Sequence, residues 1–140
     1  MNYQIKDLDE MILVSAEGKS RDDALYELEE YLQQNGIDSL AHFYIEIYSG
    51  GKVAGAMALA KVAQAPEHSR KYTASTLKKG PYLIFDYPYE DYVKSNQAGE
   101  KQLDINEYIK EKGYRMLTFP FFEFLKETDN QQIRIYVPLR

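Results

Sequence analysis

Two glutamates lie within aromatic stretches of this chain, and their type and setting could do chemistry. Glu46 lies in the run 43–48 and Glu123 in the run 120–125. When the sequence is compared with itself at an offset of 77 residues, the two glutamates coincide. Four further positions in the same ungapped window also match, namely Tyr31 with Tyr108, Leu32 with Ile109, Gly36 with Gly113, and Leu40 with Leu117. This agreement favours an internal duplication.

A carboxylate among aromatic rings has a definite electrostatic meaning. Its removal from water disfavours the charged form unless a cation or hydrogen-bond donors compensate. The faces of aromatic rings also attract cations. Together these effects predict a site for a lipophilic cation, or for the electropositive part of a larger apolar molecule. The alternative is that Glu46 and Glu123 point into solvent from an exposed sheet face.

Strand alternation assigns neighbours to the two glutamates, because successive side chains of a strand point to opposite faces. The residues expected on the face away from the helices are His42, Tyr44, Glu46 and Tyr48 in the first half and Phe121, Glu123, Leu125, Arg134 and Tyr136 in the second. Those expected on the core face are Phe43, Ile45, Ile47, Phe122, Phe124, Ile133, Ile135 and Val137. The sequence thus predicts an aromatic face with one carboxylate per repeat, and a cleft between two such faces.

The elements that position these residues follow from periodicity and from residues that begin or end helices. Ser20, with Asp23 three residues later, resembles a capping box that begins a helix. Gly36 and Gly113 stand where a left-handed residue would end one. Apolar and alternating runs predict strands near residues 3–5, 11–16, 42–48, 53–61, 72–77, 82–87, 119–125 and 133–137. Turns are expected at residues 50–51 and 129–130, and the polar residues 88–99 predict an irregular connection.

These elements follow the order strand, strand, helix, strand, strand, and the order occurs twice along the chain. It predicts an α+β fold in which two short helices pack on one side of an antiparallel sheet. The repeats would cover about residues 1–65 and 70–140, related by a pseudo-twofold axis. At 140 residues the chain fits a single domain.

Composition excludes several classes of protein. The chain carries 17 basic and 22 acidic side chains and has no stripe of positive charge, which argues against direct nucleic-acid binding. It has no cysteine, no signal peptide and no apolar run long enough to span a membrane, so we expect a cytoplasmic protein. His42 and His68 lack metal-ligand spacing, and we expect neither a metal nor a cofactor. The chain has 13 tyrosines and no tryptophan, which is compatible with a partly hydrated core, an interface or an aromatic pocket.

Segments of the second half resemble a known family. Residues 77–85 read LKKGPYLIF, which is similar to the strand "proline or lysine, glycine, x, tyrosine, apolar" of GyrI-like domains. These are also the effector-binding domains of multidrug-sensing bacterial transcription regulators. Residues 121–124, followed by 133–139, resemble the aromatic-glutamate element and terminal strand that close the family's pattern.

The resemblance implies an SHS2-type duplication with a ligand cleft between the repeats. It implies that Glu123 contacts cationic or lipophilic ligands there, and it carries Tyr82 and Phe121 over as further contacts. The remaining ligand-binding candidates, Tyr44, Glu46, Tyr48 and Tyr136, follow from face alternation. The family includes fused regulators, stand-alone proteins that protect gyrase, and hydrolases of reactive molecules. Because no helix-turn-helix precedes residue 1, we expect an excised domain or a protein that acts alone.

Three functions remain open on the sequence. The first is a small-molecule-binding domain, acting as a ligand sensor or a sequestering protein, with an aromatic cleft centred on Glu123. The second is a protein-interaction module that docks gyrase or a secreted protein on the same face. The third is a hydrolase in which Glu123 polarises water. No set of base, nucleophile and orienting residue is visible for the third, so no catalytic residue is assigned.

Overall fold

The computed structural model describes residues 2–49, 52–66, 73–98, 102–125 and 131–140. Within them lie β1 (Gln4–Leu8), β2 (Met11–Gly18), α1 (Arg21–Gln34), β3 (Ala41–Ser49), β4 (Lys52–Val62), β5 (Thr73–Leu77), β6 (Gly80–Pro88), α2 (Tyr89–Ala98), α3 (Gln102–Glu111), β7 (Phe121–Phe124) and β8 (Gln132–Pro138). The α+β class and the repeated order of strands and helices are confirmed. The turns expected at 50–51 and 129–130, and His68, lie outside the described residues.

The chain divides into two compact units, each named here for its glutamate. The Glu46 unit comprises Asp9–Ser49 and Val53–Lys79, and its strands follow the order β3-β4-β2-β5. The Glu123 unit comprises Met1–Leu8, Gly50–Lys52 and Gly80–Arg140, with the order β1-β6-β8-β7. Strands β1 and β6 pair antiparallel, as do β5 and β2. Each unit therefore takes its outer strand from the other half of the sequence.

In the Glu46 unit, small side chains let helix α1 approach the sheet closely. The Ser20 hydroxyl accepts from the backbone N–H of Asp23 at 3.2 Å, which confirms the predicted start of α1. A Cβ on Gly18 would lie 2.5 Å from the backbone nitrogen of Ala24, so only glycine fits there. The alanine-rich segment after residue 52 is confirmed as a strand, and three alternate residues of it are fully buried: Ala56, Ala58 and Ala60.

Helices α1 and α3 end in the same way, at positions 77 residues apart. Gly36 and Gly113 both have left-handed backbones, with φ of 63° and 85°. The next residue in each case donates its N–H across the last turn at 2.9 Å, from Ile37 to Leu32 and from Tyr114 to Ile109. This closure satisfies carbonyls that the helix end would otherwise leave unpaired, and it confirms both predicted helix ends.

The prediction of an irregular connection over residues 88–99 is wrong, because the segment contains helix α2. Tyr89 and Tyr92 are three residues apart and share one helix face, from which their rings contact Phe122 at 5.9 and 5.5 Å. Glu90 and Lys94 form an exposed ion pair one turn apart at 3.1 Å. The polar composition obscured this periodicity. None of the helices in the described residues is long and apolar enough to cross a membrane.

The core of the Glu123 unit lies on the sheet face that the helices cover. Tyr3 bridges sheet and helix there, with its ring 5.0 Å from Phe85 and 4.8 Å from Tyr108 of α3. The buried strand residues of this face are Leu83, Phe85, Phe122, Ile133, Ile135 and Val137. In the Glu46 unit Phe43 is buried as predicted, but Ile47 is 52% exposed and does not belong to the core. Alternation predicts which side chains of a strand share a face, but it does not predict which face another element covers.

Candidate functional site

Strand pairing places three charged side chains in one row on the face of the Glu123 unit that points away from its helices. Arg134 of β8 lies directly opposite Asp86 of β6 and directly opposite Glu123 of β7. Directly opposed residues of an antiparallel pair share a face. In the adjacent row, Tyr136 of β8 lies opposite Phe121 of β7. The structure therefore brings two predicted site residues of β7 next to two side chains of β8.

Glu123 is held by a tyrosine hydroxyl. Tyr136 donates its hydroxyl to Glu123 Oε1 at 2.5 Å. The ring of Tyr136 stacks on Phe121, with centroids 5.4 Å apart and an interplanar angle of 14°. The next residues of β7 that face the other way, Phe122 and Phe124, contact Tyr89 of α2. Glu123 thus lies on the face away from the helices, partly buried beside stacked rings, as predicted for this half.

The surroundings of Tyr136 keep its hydroxyl protonated. Burial is the largest effect that raises the pKa of Tyr136 well above its ordinary value. The hydrogen bond to Glu123 and the negative charge of that carboxylate raise the pKa further, whereas the positive charge of Arg134 lowers it. Tyr136 is therefore a hydrogen-bond donor throughout the physiological pH range, and it stabilises the Glu123 carboxylate.

Arg134 is directed toward Asp86. Its Nε donates to Asp86 Oδ1 at 2.7 Å and its second guanidinium nitrogen donates to Oδ2 at 3.1 Å. This forked hydrogen bonding is the largest effect and raises the pKa of Arg134, whereas burial lowers it. Because Arg134 and Asp86 neutralise each other, the row of three charges retains one net negative charge, on Glu123.

Tyr82 contributes a buried hydroxyl to the same face. Its side chain is 2% exposed, and its ring meets Phe121 edge-on with centroids 6.4 Å apart. The Tyr82 hydroxyl is buried and has no hydrogen-bond partner among the described residues. Burial raises the pKa of Tyr82, so the hydroxyl is neutral. A water molecule or a bound group can supply the missing hydrogen bond.

A groove of about 420 Å³ runs along this face beside Tyr136. Its lining residues are Asn2, Gln4, Lys6, Leu8, Ile84, Phe85, Asp86, Arg134 and Tyr136. Sequence reasoning did not assign Asp86 a role and named Arg134 only by its face. Asp86 and Arg134 are 48 residues apart, and only the pairing of β6 with β8 brings them together.

The Glu46 unit surrounds its glutamate differently. The Glu46 side chain is 5% exposed, and its Oε1 lies 3.8 Å from a guanidinium nitrogen of Arg21, the first residue of α1. The same guanidinium lies over the ring of Tyr44, 5.9 Å from its centroid. Tyr44 and Glu46 therefore contact helix α1, whereas alternation predicted a face away from the helices. Tyr48 is partly buried further along β3.

The charges around Tyr44 differ from those around Tyr136. Burial raises the pKa of Tyr44, and the positive charge of Arg21 partly offsets this effect. His42, at the start of the same strand, has a buried Nε2 without a hydrogen-bond partner in the part of the chain that is described. Within that part, no three histidine, aspartate or glutamate side chains are grouped to hold a metal ion. In each unit a glutamate lies near a tyrosine ring and an arginine.

The sequence matches no protein-family model and no curated protein sequence. Solved structures match in fold, including the EcmrR C-terminal domain, with a TM-score of 0.69 at 10% identity, covering 99% of this chain and 97% of that chain. A hydrolase from Listeria innocua gives a TM-score of 0.58 at 9% identity, covering 99% and 91%. In the EcmrR–DNA complex, EcmrR gives 0.65 at 12% identity, and this chain covers only 57% of that chain. This chain has the fold of the GyrI-like effector-binding domain of EcmrR, which confirms the predicted resemblance at the level of the fold.

Proposed function

We propose that this chain is a small-molecule-binding domain that takes a lipophilic cation at Glu123. The observation that carries the proposal is the charge arrangement on the face that points away from the helices. Glu123 keeps its negative charge beside the stacked rings of Phe121 and Tyr136, while Asp86 neutralises the neighbouring Arg134. A flat cation would place its charge near the carboxylate and its apolar body against the rings.

The remaining candidate contacts have distinct roles in this proposal. Phe121 is 2% exposed and backs the ring of Tyr136 as an aromatic wall, and Tyr82 offers a buried hydroxyl to a polar group of the ligand. Tyr44, Glu46 and Tyr48 are proposed as a second set of contacts, but Glu46 is already close to the cation of Arg21. Its charge therefore supports a ligand cation less than that of Glu123 does. The predicted cleft between the repeats remains a prediction.

EcmrR has been observed in a complex with DNA, and it shares the fold of this chain. We propose that this chain acts in the cytoplasm as a ligand sensor or a sequestering protein, with no direct contact to nucleic acid. Ligand binding requires no metal or cofactor in this proposal, because rings and a carboxylate provide the recognition.

Isothermal titration with N-methylacridinium tests the proposal, and neutral acridine at pH 8 provides the matched uncharged ligand. The wild type should bind the cation more tightly than acridine. Glu123→Gln should weaken cation binding at least about tenfold, which corresponds to about 1.4 kcal/mol, and should change acridine binding little. The control is Glu90→Gln, which removes the same charge from an exposed position on α2. Equal affinity for the two ligands, or equal losses in the two variants, would contradict the proposal.

A protein-interaction module is the second candidate, and one observation favours it. Just before β7, Leu117 and Phe119 expose their apolar side chains to solvent, and Phe119 is 76% exposed. Exposed aromatic residues are typical of interfaces. Under this candidate, Phe119→Ser would abolish binding to purified DNA gyrase in surface plasmon resonance. The wild type would then show no preference for N-methylacridinium over acridine.

A further inference from the structure

We infer that Asp86 is a positioning residue that holds Arg134 away from Glu123 and so keeps the Glu123 carboxylate available to a cation. The inference rests on the proposed function and names how the same site is kept open. Asp86 itself does not contact the ligand in this account. It acts through Arg134, whose guanidinium it binds with two hydrogen bonds.

The strand register gives Arg134 two possible partners. Its side chain lies between two directly opposed carboxylates, Asp86 on one neighbouring strand and Glu123 on the other. Directly opposed side chains in an antiparallel sheet have Cβ atoms about 4.5–5.5 Å apart, so the long arginine side chain can reach either one. In the structure the two hydrogen bonds of Arg134 to a carboxylate go to Asp86, and Glu123 accepts from Tyr136. Arg134 is still near enough to lower the pKa of Tyr136, and the charge of Glu123 raises the pKa of Arg134.

The two arrangements have opposite consequences for a bound cation. With Arg134 on Asp86, the Glu123 carboxylate has a neutral donor as its partner and keeps its charge for a ligand. With Arg134 on Glu123, an internal guanidinium would occupy the place of the ligand cation. A ligand would then have to displace that guanidinium. The apparent affinity for the ligand would fall in proportion to the fraction of molecules in which Arg134 is bound to Asp86. Asp86 thus sets how much of the protein is ready to bind.

The two-point geometry of the Arg134–Asp86 pair matters as well as its charge. Arginine presents a planar fork that a carboxylate can grip with both oxygens, whereas lysine is a point charge. Asp86 lies two strand spacings from Glu123, which is roughly 10 Å. This separation exceeds the Debye length of about 8 Å at physiological ionic strength, so the field of Asp86 alone acts only weakly on a cation at Glu123.

Titration of N-methylacridinium at 0.15 M salt into a set of variants tests the inference. Asp86→Ala should weaken binding about tenfold, because it frees Arg134 to pair with Glu123. Combining Asp86→Ala with Arg134→Gln should bring the affinity back to within about threefold of the wild type. Arg134→Lys, which keeps the charge but loses the fork, should weaken binding about threefold. Asp7→Ala is the matched control on β1, because Asp7 is exposed and its side chain alternates to the opposite face from Lys6; it should change binding less than about twofold.

A crystal structure of the Asp86→Ala variant shows directly whether Arg134 changes its partner, which would not happen if Asp86 only stabilised the fold. Arg134 should bind the Glu123 carboxylate, and Tyr136 should lose its hydrogen bond. The inference is overturned if Asp86→Ala binds like the wild type, if Arg134→Gln fails to restore binding, or if Arg134 stays away from Glu123 in the crystal. The proposed function fails separately, through a wild type that does not prefer the cation or a Glu123→Gln variant that binds normally. If the proposed function fails, the positioning role of Asp86 is excluded as well.

Discussion

The Glu46 unit and the Glu123 unit end their helices alike but surround their glutamates differently. In both, a left-handed glycine ends the helix, and equivalent backbone hydrogen bonds close it at 2.9 Å. The leucine that follows also donates its N–H at 2.7 Å in both, from Leu40 to Lys61 and from Leu117 to Pro138. Beyond this leucine, Glu46 contacts Arg21 of the helix, whereas Glu123 lies on the opposite face from the helices.

The difference shows that a repeated motif can keep its local structure and change its chemistry. A helix end depends on a few neighbouring residues, so the same residues produce the same closure. The surroundings of a glutamate depend on strands and helices that are distant in sequence. Arg21 from α1 neutralises Glu46 in one unit, and in the other Asp86 from β6 neutralises the arginine next to Glu123.

The chain makes a detour before β7. Met116 lies opposite Leu139, and Phe121 lies opposite Tyr136. From Met116 to Phe121 the chain advances five residues, whereas from Leu139 to Tyr136 the opposing strand advances only three. The segment before β7 therefore contains two extra residues. Pro120, which cannot donate to a ladder, lies in this detour at the position that corresponds to Phe43. Two extra residues shift β7 along β8 but keep its alternation, because only a slip of an odd number of residues exchanges the faces of a strand.

The largest expected difference between the units concerns corresponding positions next to the glutamates. Phe122 is buried under α2, and its counterpart at the offset of 77 residues, Ile45, is only partly buried. Phe122→Ala should lower the free energy of unfolding by about 3–5 kcal/mol, because it leaves a cavity in a packed core. Ile45→Ala should cost about 1–2 kcal/mol. Urea denaturation measures both, and equal costs would mean that the two positions are equally buried.

Removal of each arginine should affect stability unequally. Arg21→Gln should lower the free energy of unfolding by about 1–3 kcal/mol, because it leaves the buried Glu46 carboxylate without its nearby cation. Arg134→Gln should cost less than about 1 kcal/mol, because its partner Asp86 is 47% exposed and is readily hydrated. Thermal unfolding of the two variants, at equal salt, checks the order. A larger cost for Arg134→Gln would reverse the comparison.

Alkaline pH should separate the two tyrosines that flank the glutamates. The pKa of Tyr136 is raised in the folded state, so its contribution to stability is complete below the unfolded value near 10 and is lost as the pH rises above it. Tyr136→Phe should flatten this alkaline loss, and Tyr44→Phe should flatten it less. An arginine lowers the pKa of both tyrosines, but at Tyr136 the hydrogen bond to Glu123 adds to the effect of burial. Urea denaturation between pH 8 and pH 11 measures both slopes. Identical slopes in the two variants would contradict the difference in environment.

The sequence predicted the parts of the fold that depend on neighbouring residues. Ser20 and Gly36 marked the ends of α1 correctly, and alternation along β8 correctly separated Arg134 and Tyr136 from the core. It missed α2, where polar residues concealed the spacing of Tyr89 and Tyr92. The roles of Arg21 and Asp86 could not be predicted, because they depend on how helix and strands meet, and no local pattern encodes that contact.

The most direct test compares the two glutamates in one experiment. Glu123→Gln and Glu46→Gln make the same chemical change at corresponding positions of the repeat, and isothermal titration measures N-methylacridinium binding to each. Glu123→Gln should weaken binding at least about tenfold, whereas Glu46→Gln should change it less than about twofold, because Arg21 already neutralises Glu46. Equal losses, or a larger loss for Glu46→Gln, would show that the cation does not bind at Glu123.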